Sequence, residues 1–384
     1  MLARSARWIL MCVLAAAIAW LVLPYFLGTS LPEPGISSLG SGTLRAEVLE
    51  IIEEGSIVMG ERAQRYQIAR VQLLEGDYRG LVMEIDYGRR QVRADDYQLQ
   101  PGQRIIVSLS KTPDGILNAY FVDFVRTSSL ALLLAIFAGA ILLMSGWKGL
   151  RSLMGLALSL VVIIAYIIPH ILSGEDPVVV SIIGSTLLLG TTLYLTYGAT
   201  LKTHAAVISM SLVLLFTGAL AALFVWIARL NGTGDENVMF LMQTLETAVN
   251  LRGLLLGGMI IGALGVLDDL VMTQASAVFE LHQADPRIGF SGLYAAAMRI
   301  GQDHVAATVN TLVLAYAGAA LPMFLMFSLA KGDYTYIVNF SFVAEEIVRT
   351  LVGSVGLVAA VPLTTAIASA FALKSADSAA DRIP

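Results

Sequence analysis

Apolar stretches long enough to cross a lipid bilayer recur along this chain, and they constrain its fold more than any other feature. A helix needs about 20 apolar residues to cross roughly 30 Å of hydrocarbon. Hydrophobic residues make up 57% of the chain and charged residues 14%, against roughly 45–50% and roughly 25% in soluble domains. We predict an α-helical polytopic membrane protein. Its eight expected spans are Trp8–Gly28, Ser129–Gly146, Ser152–Leu172, Val178–Gly198, Ala205–Ala228, Leu254–Leu281, Val305–Leu329 and Glu346–Leu373.

Composition and missing motifs exclude several functional classes. Lys and Arg number 24 against 29 Asp and Glu, and the basic residues are scattered singly, so no nucleic-acid surface is predicted. Cys12 is the single cysteine, which rules out an internal disulfide and a thiolate zinc cluster. The four histidines lack HExxH spacing, and no P-loop motif occurs. We therefore expect no metal site, no cofactor and no enzymatic activity.

The first apolar stretch follows Arg4 and Arg7, an arrangement that secretory signal peptides share with membrane anchors. The stretch is long for a signal peptide, and no clear A-x-A cleavage pattern follows it. We interpret residues 1–28 as an uncleaved anchor helix.

The distribution of Lys and Arg predicts the orientation of the chain. With the N-terminus inside, nine basic residues fall in inside segments and four in short outside loops. The positive-inside rule therefore places both termini in the cytoplasm. The inside set is Arg4, Arg7, Lys148, Arg151, Lys202, Arg287, Arg299, Lys374 and Arg382, and the outside set is Arg229, Arg252, Lys331 and Arg349.

Residues 42–126 have the composition of a water-soluble domain. Apolar and polar residues alternate in short runs separated by Gly-Asp, Tyr-Gly, Pro-Gly and Pro-Asp-Gly turns, a pattern typical of antiparallel strands. About five strands suit a small all-β, OB-like barrel, which we place outside the cytoplasm, where it binds a partner protein or is structural. Residues 29–41 form a linker, residues 127–373 a seven-helix transmembrane bundle and residues 374–384 a cytoplasmic tail. Phe240–Asn250 fits either an interfacial helix or a loop helix.

The sixth predicted span contains two adjacent acids, Asp268 and Asp269, near the middle of a long apolar stretch. A carboxylate there costs several kcal/mol unless it faces protein or water. Helical spacing puts Asp269 on one face with Gly262, Gly265, Thr273, Ser276 and Glu280. Asp268 lies about 100° away in more apolar surroundings. Two interpretations remain open for Asp269: a hydrogen bond between helices that pack through the glycines, or proton and ion handling.

The last two predicted spans also carry polar positions. The seventh span contains Asn310 and Thr311, and the Asp303-His304 pair lies just before it. Pro322 is positioned to kink the far end of this span. Arg349 lies one turn from Glu345 and Glu346, which supply the carboxylate partner that an arginine near a membrane helix requires. The candidates for ion coupling are therefore Asp269, Asp268, Thr273, Ser276, Asn310, Thr311, Glu346 and Arg349, and those for helix packing are Gly262, Gly265, Gly353 and Gly356.

Three segments, GALGVLDDLVMTQASAVFEL, MRIGQDHVAATVNTLVLAYAGAALP and EEIVRTLVGSVGLVAAVPLTT, resemble the YibE/F family of bacterial multi-pass membrane proteins in order and spacing. The resemblance implies an integral protein of the bacterial cytoplasmic membrane and no particular activity. The family motif G-x-x-G-x-x-x-D matches Gly262, Gly265 and Asp269, the N-T-L motif matches Asn310, Thr311 and Leu312, and the E-I-V-R motif matches Glu346, Ile347, Val348 and Arg349. Asp268 is an additional acid outside the motif.

Three classes of function can be compared with these observations. A transporter or permease would move an ion or a small solute along the polar stripes, coupled to protons or cations through Asp269. A membrane scaffold would use the outer β domain to bind a partner protein. An intramembrane aspartyl protease would need two apposed Asp residues, and its G-x-G-D context is missing. We expect the transporter, with the scaffold as the alternative; a homo-oligomer in the lipid bilayer is compatible with both.

Overall fold

The computed structural model describes residues 43–59, 62–90, 97–111, 117–244, 249–329 and 334–380. These residues belong to two compact units that divide between Leu143 and Met144. The predicted first span, Trp8–Gly28, and the linker 29–41 lie outside the described residues.

Five antiparallel strands form the sheet of the N-terminal unit, as the alternating pattern predicts. Their order across the sheet is β3-β2-β1-β4-β5. Two register shifts within β1, between Val48 and Glu50 and between Ile51 and Glu53, increase the local twist of this long strand. The strands are β1 (Thr43–Met59), β2 (Arg62–Leu73), β3 (Val82–Tyr87), β4 (Arg104–Lys111) and β5 (Leu117–Phe124).

One face of the sheet forms the core of this unit because successive side chains of a strand point to opposite faces. Alternate residues such as Val48, Val71 and Ile105 are fully buried. The buried Gln67 amide accepts a hydrogen bond from the Leu99 backbone N–H at 2.6 Å and so ties the segment before β4 to the sheet. At the end of β5, a hydrogen bond from Arg126 lowers the pKa of the Asp123 carboxyl below its usual value.

The rest of the described chain is helical. Within it, five helices are long and apolar enough to cross a membrane, and a sixth is added if one bent pair counts as a single span. The helices are α1 (Thr127–Leu172), α2 (Pro177–Tyr197), α3 (Leu201–Ile227), α4 (Glu236–Thr244), α5 (Leu251–Ala284), α6 (Phe290–Ala319), α7 (Leu321–Leu329), α8 (Tyr334–Ile337) and α9 (Ser341–Ala380).

A break at Gly146 interrupts α1. Gly146 has φ of 52° and ψ of −129°, a conformation that favours glycine because it has no Cβ. The 46 residues of α1 include both the second and the third predicted spans. The break falls at the end of the second predicted span, Ser129–Gly146.

Side-chain caps explain where α2, α3 and α5 begin. Asp176 accepts hydrogen bonds from the backbone N–H groups of Val178 and Val179 at the start of α2, and Pro177 occupies the first turn. Thr200 caps α3 in the same way. Asn250 caps α5 by accepting from the Gly253 N–H. The predicted helix Phe240–Asn250 starts earlier than expected, at Glu236 of α4, and its residues 245–248 lie outside the described residues.

The seventh predicted span differs most from the structure. Its helix, α6, begins at Phe290 rather than at Val305, because Arg299 and Asp303 interrupt the apolar run without interrupting the helix. The helix ends at Ala319, and α7 continues at an angle of 59° with Pro322 in its first turn. The expected kink at the far end is therefore present.

Candidate functional site

Gln274 joins the three helices that carry the predicted motifs. Its side chain is 2% exposed. From α5, the Gln274 Nε2 donates hydrogen bonds to the Ala297 carbonyl of α6 at 3.0 Å and to Thr365 Oγ1 of α9 at 2.7 Å. A Cβ on Gly301 would overlap Val361, so the glycine allows α6 to approach α9 here. The three helices therefore meet around one satisfied amide.

A second meeting point of the same helices lies nearer the start of α5. Tyr316 Oη of α6 lies 3.7 Å from the position that a Gly262 Cβ would occupy. The same hydroxyl is within electrostatic range of Glu346 and Arg349 of α9. Arg349 Nη1 donates to Glu346 Oε2 at 2.7 Å, which confirms the ion pair that the spacing predicts. Tyr316 of α6 therefore lies near Gly262 of α5, and its hydroxyl senses the charged pair of α9.

Asp268 and Asp269 lie at mid-length of α5 and face different surroundings. Asp268 is half-buried, and its Oδ1 is buried without a hydrogen-bond partner among the described residues. Asp269 is exposed on the outer side of the helix. Tyr197, at the end of α2, lies within electrostatic range of both carboxylates. Asp268 therefore faces the interior of the described bundle, and Asp269 faces its outer side.

The polar stripe predicted on the sixth span is real but faces outward. Gly265, Asp269, Thr273 and Glu280 are exposed in the part of the chain that the structure describes, and Ser276 is half-buried. A helix presents residues three and four apart on one side, so the spacing argument is correct. The stripe lines no interior pathway among the described helices, because Leu267, Leu270 and Val271 occupy the opposite, packed side of α5.

The other ion-coupling candidates do not all converge. Asn310 and Thr311 are exposed on α6, and the Thr311 hydroxyl donates to the Ala307 carbonyl of its own helix at 3.0 Å. Glu346 and Arg349 pair with each other on α9 and act electrostatically on Tyr316. The described structure thus joins Glu346 and Arg349 directly and leaves Asn310 and Thr311 on the outer side.

The predicted packing glycines have different environments. A Cβ on Gly356 would overlap Thr217 Oγ1 of α3, so this glycine makes a close contact, although with an earlier helix than expected. Gly353 has Leu312 at 3.9 Å across the α6–α9 interface. A Cβ on Gly265 would meet nothing within 4 Å in the described residues. Gly265 therefore makes no close helix contact within the described residues, and its packing role stays a prediction.

Two features of the site escaped the sequence reasoning. Glu345, grouped there with Glu346 as a partner for Arg349, is 5% exposed, and its Oε1 accepts from the Gly232 N–H at 3.0 Å. Gln274 is not among the residues predicted from the sequence, although a lone amide within an apolar run indicates a hydrogen bond between helices. The contact with Gly232 spans 113 residues and leaves no local pattern in the sequence.

No group of three or more His, Cys, Asp or Glu side chains within the described residues is arranged to hold a metal ion.

The family model described as YibE/F-like protein matches residues 133–374. No curated protein and no solved structure matches the chain.

Proposed function

The chain belongs to the YibE/F-like protein family, a membership that leaves its activity open, and from the geometry of its site we propose that it is a transporter or permease. It moves an ion or a small solute across a membrane, coupled to protons or cations through the acidic pair of α5. In this proposal the protein has eight spans in a bacterial cytoplasmic membrane, with both termini inside. The β domain then lies outside the cytoplasm.

The inward carboxylate of Asp268 carries this proposal. A buried carboxylate without a partner costs free energy unless it holds a proton or a cation. Asp268 Oδ1 is such a group within the described part of the chain. The adjacent Asp269 faces the outer side, so the two acids present carboxylates in two directions at mid-length of one helix. A group that exchanges a proton or a cation needs access of this kind.

The geometry revises the ranking of the two acids. Helical spacing and the family motif favour Asp269 as the coupling residue, whereas burial favours Asp268. We propose that Asp268 is the group that binds the proton or cation, with Asp269 as its outer neighbour. The two acids are adjacent in the sequence, so each substitution also changes the charge next to the acid that remains.

The test is ion flux into proteoliposomes that contain the purified full-length protein. An imposed pH gradient is followed with a trapped pH-sensitive dye, and sodium and potassium gradients are compared in parallel. We expect Asp268→Asn to abolish flux, because the amide preserves shape but cannot exchange a proton. Glu280→Gln is the matched control, since Glu280 is exposed on the same helix, and it should retain flux.

The variants also separate the competing explanations. Full flux in Asp268→Asn together with loss in Asp269→Asn would overturn the ranking and restore Asp269 as the coupling residue. Absence of proton, sodium and potassium flux in the wild-type protein would contradict ion coupling and favour the scaffold function.

The scaffold function has its own supporting observation in the β domain. Strands β3 and β5 are the two edges of the sheet, yet both line one cleft of about 1040 Å³. A sheet whose edges approach each other in this order supports an OB-like, partly open barrel. Edge strands that still have free backbone groups can bind an extended peptide. The cleft is therefore the partner site in the scaffold alternative.

The partner site is tested in the full-length protein in cells. A photo-crosslinking amino acid at Tyr120, which is exposed and lines the cleft, should give one stoichiometric adduct with a second protein. The same amino acid at Leu49, exposed on β1, is the control and should give none. Equal adducts from both positions would contradict the scaffold function.

A further inference from the structure

A separate cavity of about 290 Å³ lies between α2, α3 and α5, in a part of the bundle that the candidate site does not use. Its outer end is lined by Ile182 and Leu215, which are 41% and 62% exposed. Its inner end is lined by Leu189, Ile260 and Ser185, each at most 5% exposed. The cavity therefore runs from the outer side of the described bundle into its interior.

The lining is apolar apart from three hydroxyl side chains, and no charged residue contributes to it. Two of these hydroxyls are satisfied within their own helices, as is usual for Ser and Thr. Thr186 donates to the Ile182 carbonyl at 2.8 Å, and Ser211 donates to the Val207 carbonyl at 2.9 Å. Neither hydroxyl needs a ligand.

Ser185 differs from both. Its side chain is 0% exposed, and its Oγ has no hydrogen-bond partner among the described residues. One turn earlier, Ser181 also has an unpartnered Oγ, but it packs against Gly257 and does not line the cavity. Burial of an unpaired hydroxyl is unfavourable. A ligand that brings one oxygen atom to the inner end of the cavity would remove this cost.

We propose that the cavity binds a slender neutral lipophile that enters from the bilayer. Its aliphatic chain lies against the apolar lining, and its single oxygen atom, from an alcohol or a carbonyl, accepts a hydrogen bond from Ser185 Oγ. A charged headgroup does not fit, because the lining has no charged partner. A pure hydrocarbon fills the space but leaves the Ser185 hydroxyl unpaired. This site is independent of the acidic pair and of the transport proposal.

The test uses photolabelling of the full-length protein in lipid nanodiscs. The probe is a ten-carbon aliphatic alcohol that carries a diazirine, and mass spectrometry maps the labelled residues. We expect labelling of α2 and α3 residues that line the cavity. Unlabelled 1-decanol should compete about three- to tenfold better than decane, since one net hydrogen bond distinguishes the two molecules.

Matched variants isolate the role of the free hydroxyl. Ser185→Ala should retain labelling and lose the preference for decanol over decane. Ser211→Ala removes a hydroxyl from the same cavity that is already bonded to its own helix, and the preference should persist. Gly218 lines the cavity with its Cβ position 3.7 Å from Ile260, so Gly218→Leu should fill the space and abolish labelling.

Three results would overturn the proposal. They are labelling spread over the whole bundle surface, an unchanged preference for decanol in Ser185→Ala, and wild-type labelling in Gly218→Leu. Size-exclusion profiles identify misfolding. Ser185→Ala should be at least as stable as the wild type without ligand, because it removes an unsatisfied buried hydroxyl.

Discussion

Glu345 is a buried acid that secures a loop, whereas its neighbour Glu346 pairs with an arginine. Glu345 Oε1 accepts from the Gly232 N–H, and a Cβ on the nearby Gly234 would approach Glu345 Oε2 to 2.7 Å. The loop after α3 therefore depends on close backbone approach to the first turn of α9. Glu346 has a partly exposed partner on its own helix.

These two acids give the first prediction. Glu345→Ala leaves the buried Gly232 N–H without an acceptor, which should lower the free energy of unfolding by about 1–3 kcal/mol. Glu346→Ala breaks a partly exposed i,i+3 pair and should cost under about 1 kcal/mol. Thermal unfolding in detergent measures both. Equal losses in the two variants would show that the loop contact contributes little.

Gln274 is a second buried polar residue that joins distant segments, here in the middle of the bundle. Its amide is satisfied by one backbone carbonyl and one hydroxyl on different helices. Such buried polar groups specify how helices meet, because an alternative packing would leave the amide unpaired.

Helices pack at different distances according to the residues at their contacts. Gly356 brings α9 against Thr217 of α3, and Gly301 brings α6 against Val361 of α9. A side chain at either glycine would have to displace a neighbour. Gly265 has open space within the described residues, although the sequence gives it the same G-x-x-G context as Gly356.

The second prediction compares two glycines at the scale of the helix. Gly356→Leu should lower stability by about 1–3 kcal/mol or more, since overpacking forces the helices apart. Gly265→Leu should change stability by less than about 0.5 kcal/mol, since its side chain meets no described residue. Extraction yield and thermal unfolding measure both. A large loss in Gly265→Leu would show that another segment or another copy covers that face.

Two helices of the chain change direction at residues that favour a break. Gly146 interrupts α1, and the bend of 59° between α6 and α7 lies next to Pro322. In contrast, Arg299 and Asp303 lie just before the apolar run that starts at Val305, and α6 continues through both residues. Apolar runs and helices therefore have different boundaries in this chain.

The whole molecule combines a sheet unit with a bundle of apolar helices in one chain. The third prediction tests the proposed topology on a background in which Cys12 is replaced by Ser. Asp77→Cys and Asn231→Cys should react with a membrane-impermeant maleimide in intact cells. Lys148→Cys and Arg287→Cys should react only after permeabilisation. All four positions are exposed, so reaction at Lys148→Cys in intact cells would contradict the proposed orientation.

By itself, the sequence determined that the chain has a sheet unit and a helical unit, and it determined the type of their main elements. Alternation at period two predicted the five-stranded sheet, and apolar runs predicted the helices, because both patterns depend on neighbours within one element. The three motif-bearing segments also identified the family to which the chain belongs. The ion pair of Glu346 and Arg349 was predictable for the same reason, since it joins residues within one turn.

Only the tertiary structure decided which side of each element is buried and which distant groups meet. Asp268 turns inward and Asp269 outward, Glu345 reaches Gly232, and Ser185 lines a cavity between helices. A membrane helix is apolar on nearly all sides, so hydrophobic periodicity does not identify the side that packs against protein. That choice depends on contacts between segments far apart in the sequence, where shape and hydrogen bonding select the partner.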